Sequence, residues 1–119
     1  MDERGMVAGT LAEETRQAFA ITVAFELVSG AEAEFCRLAR ENAERSVALE
    51  AGCRRFDVLA AIPGSGGPAV LLYEIYDDRD AFAAHLATEH YRQFNESAGA
   101  LVHVKTVMEF SVVENARLA

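Results

Sequence analysis

From Ala20 to Val28 the chain reads AITVAFELV, in which Ile21, Val23, Phe25 and Leu27 alternate with Thr22, Ala24 and Glu26. That alternation predicts a strand with one strongly apolar face. Ser29-Gly30 ends it, and from about Ala31 to Leu49 the spacing lengthens to that of a helix. Phe35, Leu38, Ala39, Asn42, Ser46 and Leu49 fall on one stripe there. Asn42 and Ser46 are polar, so the stripe is more than a packing surface. The helix ends at Glu50-Ala51-Gly52, with Gly52 expected as a left-handed cap. Cys53 to Ala61 forms a second strand, with Phe56 and Val58 on one side and Arg55, Asp57 and Leu59 on the other. A Pro- and Gly-rich loop spans 63–68 and leads to a third strand, Ala69 to Tyr76. Asp77-Asp78 breaks the chain before a helix from about Arg79 to Ala87. A further helical turn or two places Tyr91, Phe94, Ala98 and Leu101 in register, and Val102 to Val113 is the last strand.

The order is strand, helix, strand, loop, strand, helix, strand. It predicts an α+β, ferredoxin-like split βαβ domain, a four-stranded antiparallel sheet with helices on one face. The third strand is apolar on both sides, Val70 and Leu72 against Leu71 and Ile75. The uncovered face of the sheet therefore asks for a partner, and a homodimer packed sheet to sheet is expected. The domain runs over 19–113, between an N-terminal tail (1–18) and a C-terminal one (114–119). Residues Glu13 to Phe19 have the composition of a marginal helical turn.

Composition narrows the function. With 119 residues, 51% of them hydrophobic, the chain fits one core. Its 11 basic residues are scattered among 19 acidic ones, for a net charge of −8, which argues against nucleic acid and anionic membranes as partners. The acidic N-terminus does not read as a signal peptide and no segment reads as a membrane span, so a cytoplasmic protein is expected. Cys36 and Cys53 lack metal-ligand spacing and read as reduced core thiols. The glycine-rich loop joins two strands and lacks GxxxxGK[ST], so it is no phosphate loop.

The stretch Val70 to Tyr91 concentrates polar and aromatic groups where a sheet meets a helix. Together with the first helix it carries a resemblance. Asn42-x3-Ser46 and Glu50-x-Gly52-x2-Arg55-Phe56-Asp57-Val58-Leu59 come first. Tyr73-Glu74-x-Tyr76-x-Asp78-x2-Ala81-x3-His85 and Thr88-x-His90-Tyr91 follow. In this order and spacing the chain resembles the antibiotic biosynthesis monooxygenase-like domains of dimeric α/β-barrel fold. The resemblance is strongest to quinol monooxygenases, which use dioxygen without metal or flavin, and to the isomerase of the phosphorylated autoinducer-2 signal. That isomerase carries a basic run after its last helix, where this chain has Leu101 to Val107 with His103 and Lys105. The haem-degrading branch needs a Trp that this chain lacks.

Both branches begin by removing a proton from an oxygenated substrate and need a near-neutral base with donors for the developing oxyanion. His85, on the helix face shared with Phe82, Leu86 and Ala81, is the candidate base. Its other reading is a buried histidine satisfied by a carbonyl or by Glu74. Asn42 and Ser46 are candidate oxyanion donors or orienting groups, or else they bond backbone carbonyls. Tyr73 and Glu74 point to opposite faces of their strand, so one at most meets His85. Tyr73 would donate to a substrate oxygen. Glu74 would orient a histidine or pair with Arg55 across the hairpin. His90 is expected at a helix break, capping it or contacting ligand at the pocket mouth, and Phe25 and Phe56 as pocket wall or core. No metal site is expected, because the five-residue step from His85 to His90 splays two rings on one helix. The expectation is a cofactor-independent monooxygenase acting on a small quinol or polyketide-like phenol with dioxygen. An isomerase of a small hydroxydiketone and a non-catalytic ligand-binding module are the alternatives.

Overall fold

A computed structural model of the chain describes residues 17–115. Most of both expected tails lies outside the described residues. Strand β1 spans Phe19–Leu27, helix α1 Glu32–Leu49, β2 Cys53–Ala60, β3 Val70–Tyr76, α2 Arg79–Leu86, α3 Glu89–Ala98 and β4 Val102–Ser111, with a single 3₁₀ turn at Gly99–Leu101. The four strands form one sheet in the order β2-β3-β1-β4, and every pairing is antiparallel. This is the expected split βαβ arrangement.

Register decides which side chains meet the helices. Ile21 pairs with Glu74, Val23 with Leu72 and Phe25 with Val70, and all six are buried. Phe56 lies opposite Glu74 on β2. Against this face α1 buries Phe35, Ala39, Asn42, Ala43 and Ser46, a helical spacing that keeps one stripe turned inward. The Phe25 and Phe94 rings flank Phe35, at centroid distances of 4.7 and 5.7 Å, and add edge and tilted aromatic contacts to the apolar burial. Leu49, expected on the stripe, is exposed, because the helix runs out at that residue.

Gly52 does not adopt the left-handed conformation expected of it; among the described residues the glycines with positive φ are Gly30, Gly64 and Gly66. Glu50 instead ends α1 in an extended conformation (φ −103°, ψ 115°), its N–H donating to the Ser46 carbonyl. Gly52 is needed for a different reason. A Cβ there would lie 2.6 Å from the Cβ of Ala81 on α2, so the missing side chain lets α2 sit on the α1–β2 turn. The Asp77 N–H donates to the Gly52 carbonyl at 2.8 Å and ties the same place to the end of β3.

The stretch after β3 divides into two short helices. Asp78 caps α2 by accepting the Ala81 N–H at 2.8 Å. Thr88 caps α3 by accepting the Tyr91 N–H at 3.2 Å, while its hydroxyl donates to the His85 carbonyl at 2.7 Å. These are short polar residues just before a helix, where their oxygens satisfy otherwise orphaned N–H groups. The edge strand β4 reaches beyond the helices and is exposed from His103 to Ser111. Among the described residues, no helix is long and apolar enough to cross a membrane.

Replacing Gly52 by Ala forces backbone or helix to move, and overpacking of this kind costs about 1–3 kcal/mol. Chemical denaturation of Gly52→Ala should show a loss in that range. A loss below about 0.5 kcal/mol would mean that α2 is not seated on this turn.

Candidate active site

Between β1, β3 and β4 on one side and the helices on the other lies a cavity of about 400 Å³. That is the size of a site for a small organic molecule. Ile21, Val23, Phe25 and Leu72 supply its apolar floor, with Phe82, Tyr91 and Phe94 from the helices, and Asn42, Glu74 and His85 are its buried polar groups. Lys105 and Val107, both exposed, form its rim on β4.

His85 is buried to 2% exposure and ringed by Tyr91, Tyr76 and Phe56 at centroid distances of 5.1, 5.4 and 5.9 Å. Its Nδ1 lies 2.8 Å from Glu50 Oε2, and the same oxygen lies 2.5 Å from His90 Nε2. A carboxylate only accepts, so each ring presents its N–H to Glu50. This tautomer leaves Nε2 of His85 unprotonated and available to a molecule in the cavity. Burial holds the His85 imidazole below its ordinary pKa, with His90 pushing the same way and Glu50 opposing both. The ring is thus kept neutral. Ser46 Oγ donates to the Asn42 carbonyl at 2.7 Å and turns its lone pairs toward His85 Nδ1, 3.4 Å away. Asn42 is itself buried, and its Oδ1 has no partner among the described residues.

Glu74 projects from β3 into the same cavity. Burial, the dominant cause, pushes its carboxyl up to about 7 against the Tyr76 hydroxyl, which donates to it at 2.6 Å. The charge of Glu50 raises it further and that of Lys105 lowers it. The Tyr76 hydroxyl and the Tyr91 hydroxyl, both held by burial above the ordinary phenol range, stay neutral donors. The site therefore offers a neutral imidazole, a carboxyl poised near neutrality and a phenol beside each other.

The model of the antibiotic biosynthesis monooxygenase family matches residues 18–97, about two thirds of the chain. This chain belongs to the antibiotic biosynthesis monooxygenase family. Solved structures share its fold. A protein from Nitrosomonas europaea, provisionally described as an antibiotic biosynthesis monooxygenase, is 24% identical with a TM-score of 0.74, over 82% of this chain and 91% of its own. One from Caulobacter crescentus with the same provisional description is 16% identical, TM-score 0.75, over 89% and 99%. A dimeric protein of unknown function and ferredoxin-like fold from Bacteroides fragilis is 12% identical, TM-score 0.71, over 80% and 96%. No curated protein matches the sequence.

Of the residues anticipated for a monooxygenase-family site, His85, Asn42, Glu74 and Phe25 line the cavity. Ser46 and Phe56 stand behind His85 without lining it. His90 reaches the site through Glu50 and faces a smaller hollow of about 170 Å³ beside α1. Tyr73 is not brought in: it points to the other face of β3, where it packs with Ala18, Ala20, Ile75 and Val112 and carries the Arg55 guanidinium 5.5 Å from its ring centroid. Glu74 takes neither of its anticipated partners, since Arg55 pairs with Asp57 and the histidines with Glu50. Glu50, which contacts both imidazoles, and Tyr91, which lines the cavity, are the groups at the site that the sequence reading passed over. Both belong to the matched motifs, but Glu50 looked like an ordinary helix end.

The raised Glu74 pKa has a consequence for stability. In the unfolded chain this carboxyl ionises near 4.5 and in the folded one near 7, so across that window the folded state binds more protons. Stability from this group is therefore full below pH 4.5 and is lost as pH rises to about 7, by at most about 3 kcal/mol. Glu74→Gln keeps an acceptor for Tyr76 and removes the titration. The difference in unfolding free energy between variant and wild type should grow in the variant's favour from pH 5 to pH 8. Parallel pH profiles would show that Glu74 titrates normally.

Proposed function

We propose that the protein is a cofactor-independent monooxygenase acting on a small quinol or polyketide-like phenol. One observation carries this reading: a buried imidazole, held in one tautomer by Glu50, on the wall of a mostly apolar cavity. His85 Nε2 takes the phenolic proton. The resulting anion delivers its electrons from a ring carbon to dioxygen, forming a carbon-bound peroxide, and the low polarity of the cavity excludes water from that step. The peroxide gains a proton from Glu74, its outer O–H leaves with the ring hydrogen as water as the O–O bond breaks, a carbonyl remains, and the proton held on His85 returns to Glu74. Overall a hydroquinone and dioxygen give a hydroxyquinone and water. Asn42 orients the substrate oxygen, and the Tyr91 hydroxyl is a donor within the same cavity.

A homodimer completes this proposal. Val104, Met108 and Phe110 are exposed on β4, on the sheet face opposite the helices, and Tyr73 lies on that face. A second copy laid against it would cover these side chains and leave the cavity on the helical side. Size-exclusion chromatography with light scattering should give twice the chain mass, and Met108→Asp should shift it toward the monomer.

Lys105 supports a second reading. A cation on the cavity rim is what an isomerase of a phosphorylated hydroxydiketone would need, and the same base would start an enediolate. Oxygen uptake over a hydroquinone panel separates the two. The monooxygenase consumes oxygen in the presence of a chelator, and His85→Ala lowers the rate by roughly a hundredfold or more, the usual contribution of a general base. Equal uptake by wild type and variant would remove His85 from the chemistry, and no uptake with any quinol would favour the isomerase.

A further inference from the structure

Glu50, His85 and His90 are more than a hydrogen-bonded support for a base. Their donor atoms all lie within 4.8 Å of one another, and the Glu50 side chain is only 9% exposed. Oε2 takes both imidazoles, and Oε1 is buried with no partner among the described residues. A buried carboxyl oxygen without a donor is costly. The described residues leave this one unsatisfied.

We propose that Glu50, His85 and His90 bind a divalent cation of the zinc class. The donor set, two imidazole nitrogens and one carboxylate, suits borderline first-row cations, whereas magnesium and calcium prefer shells of oxygen. A five-residue step between histidines would splay their rings on one continuous helix. Here the chain breaks at Ala87-Thr88, so the rings sit on two helices with centroids 6.0 Å apart, and Nδ1 of one and Nε2 of the other converge on Glu50. Three protein ligands leave positions open for water or another small ligand. The cluster also has approaches on two sides: the main cavity through His85 and the smaller polar hollow lined by Glu41, Asn42, Arg45 and His90.

Binding replaces the two ring protons now directed at Glu50, and a bidentate carboxylate would give Oε1 the partner it lacks. A His85 that ligates through Nδ1 carries its remaining proton on Nε2, the nitrogen assigned to substrate. Cation and base catalysis are therefore mutually exclusive at this ring. That consequence rests on the proposed function; cation binding itself does not.

The test is calorimetric titration of chelator-stripped, tag-free protein with zinc chloride, alongside magnesium chloride. One zinc per chain at micromolar or tighter affinity is expected, with no heat from magnesium. Glu50→Gln and His90→Ala should each weaken zinc by about tenfold or more, while His103→Ala, on exposed β4, leaves the isotherm unchanged. Absence of zinc binding by wild type, or equal binding by Glu50→Gln and His90→Ala, overturns the proposal. If a variant fails to fold, the imidazole NMR signals of the wild type decide. Zinc must shift those of His85 and His90 and spare His103, and the reverse pattern refutes the site. Failure of the oxygen assay would leave the isotherm as it is, so the two readings fail separately.

Discussion

Glu50 leaves α1 with an extended backbone, and that one departure from helical geometry carries its carboxyl under two imidazoles from two other helices. The remaining architecture serves this convergence. Gly52 lets α2 approach the turn, Asp78 and Thr88 start the helices that carry the histidines, and the β1–β3 register sets Glu74 on the same side of the sheet. The ring that results is neutral, oriented and desolvated, which is the state a proton acceptor at neutral pH requires. In water the same imidazole would exchange its proton between the two ring nitrogens and turn freely.

These polar groups occupy positions where aliphatic side chains would pack without penalty. Asn42 Oδ1 and Glu50 Oε1 are buried and unpartnered, each at a cost on the order of 1–3 kcal/mol. The aromatic layer of Phe25, Phe35 and Phe94 and the apolar floor of β1 offset that loss. A domain of this size has little stability to spare, so polar groups concentrated in one corner of the core make that corner the candidate site.

The elements were legible because their apolar periods were clean: two along β1, helical along α1, with Ser29-Gly30 and Asp77-Asp78 as punctuation. Element ends agree to within a residue or two, as hydrogen-bonded definitions allow. The site was harder to read. Alternation says that Tyr73 and Glu74 face opposite ways, but only the placement of the helices says which of them is inside. The His85–His90 spacing argued against their meeting, yet Thr88 followed by the acidic Glu89 already carried the signal of a new helix start. Glu50 was invisible for a different reason. Its role comes from the direction in which the chain leaves the helix, which no local pattern specifies. Gly52 illustrates the same limit: a conformational explanation was available from sequence, and the actual one, contact with Ala81, is tertiary.

The hairpin joining β2 to β3 turns at the end remote from Gly52 and Asp77, and residues 61–68 are all exposed there. Gly64 and Gly66 hold left-handed conformations with open space around them. Chain grafted into such a tip extends into solvent and disturbs neither imidazole. An epitope, a fluorescent reporter or a whole second module could thus be spliced in at this point, which makes the domain a natural acceptor for fusion as lineages diversify.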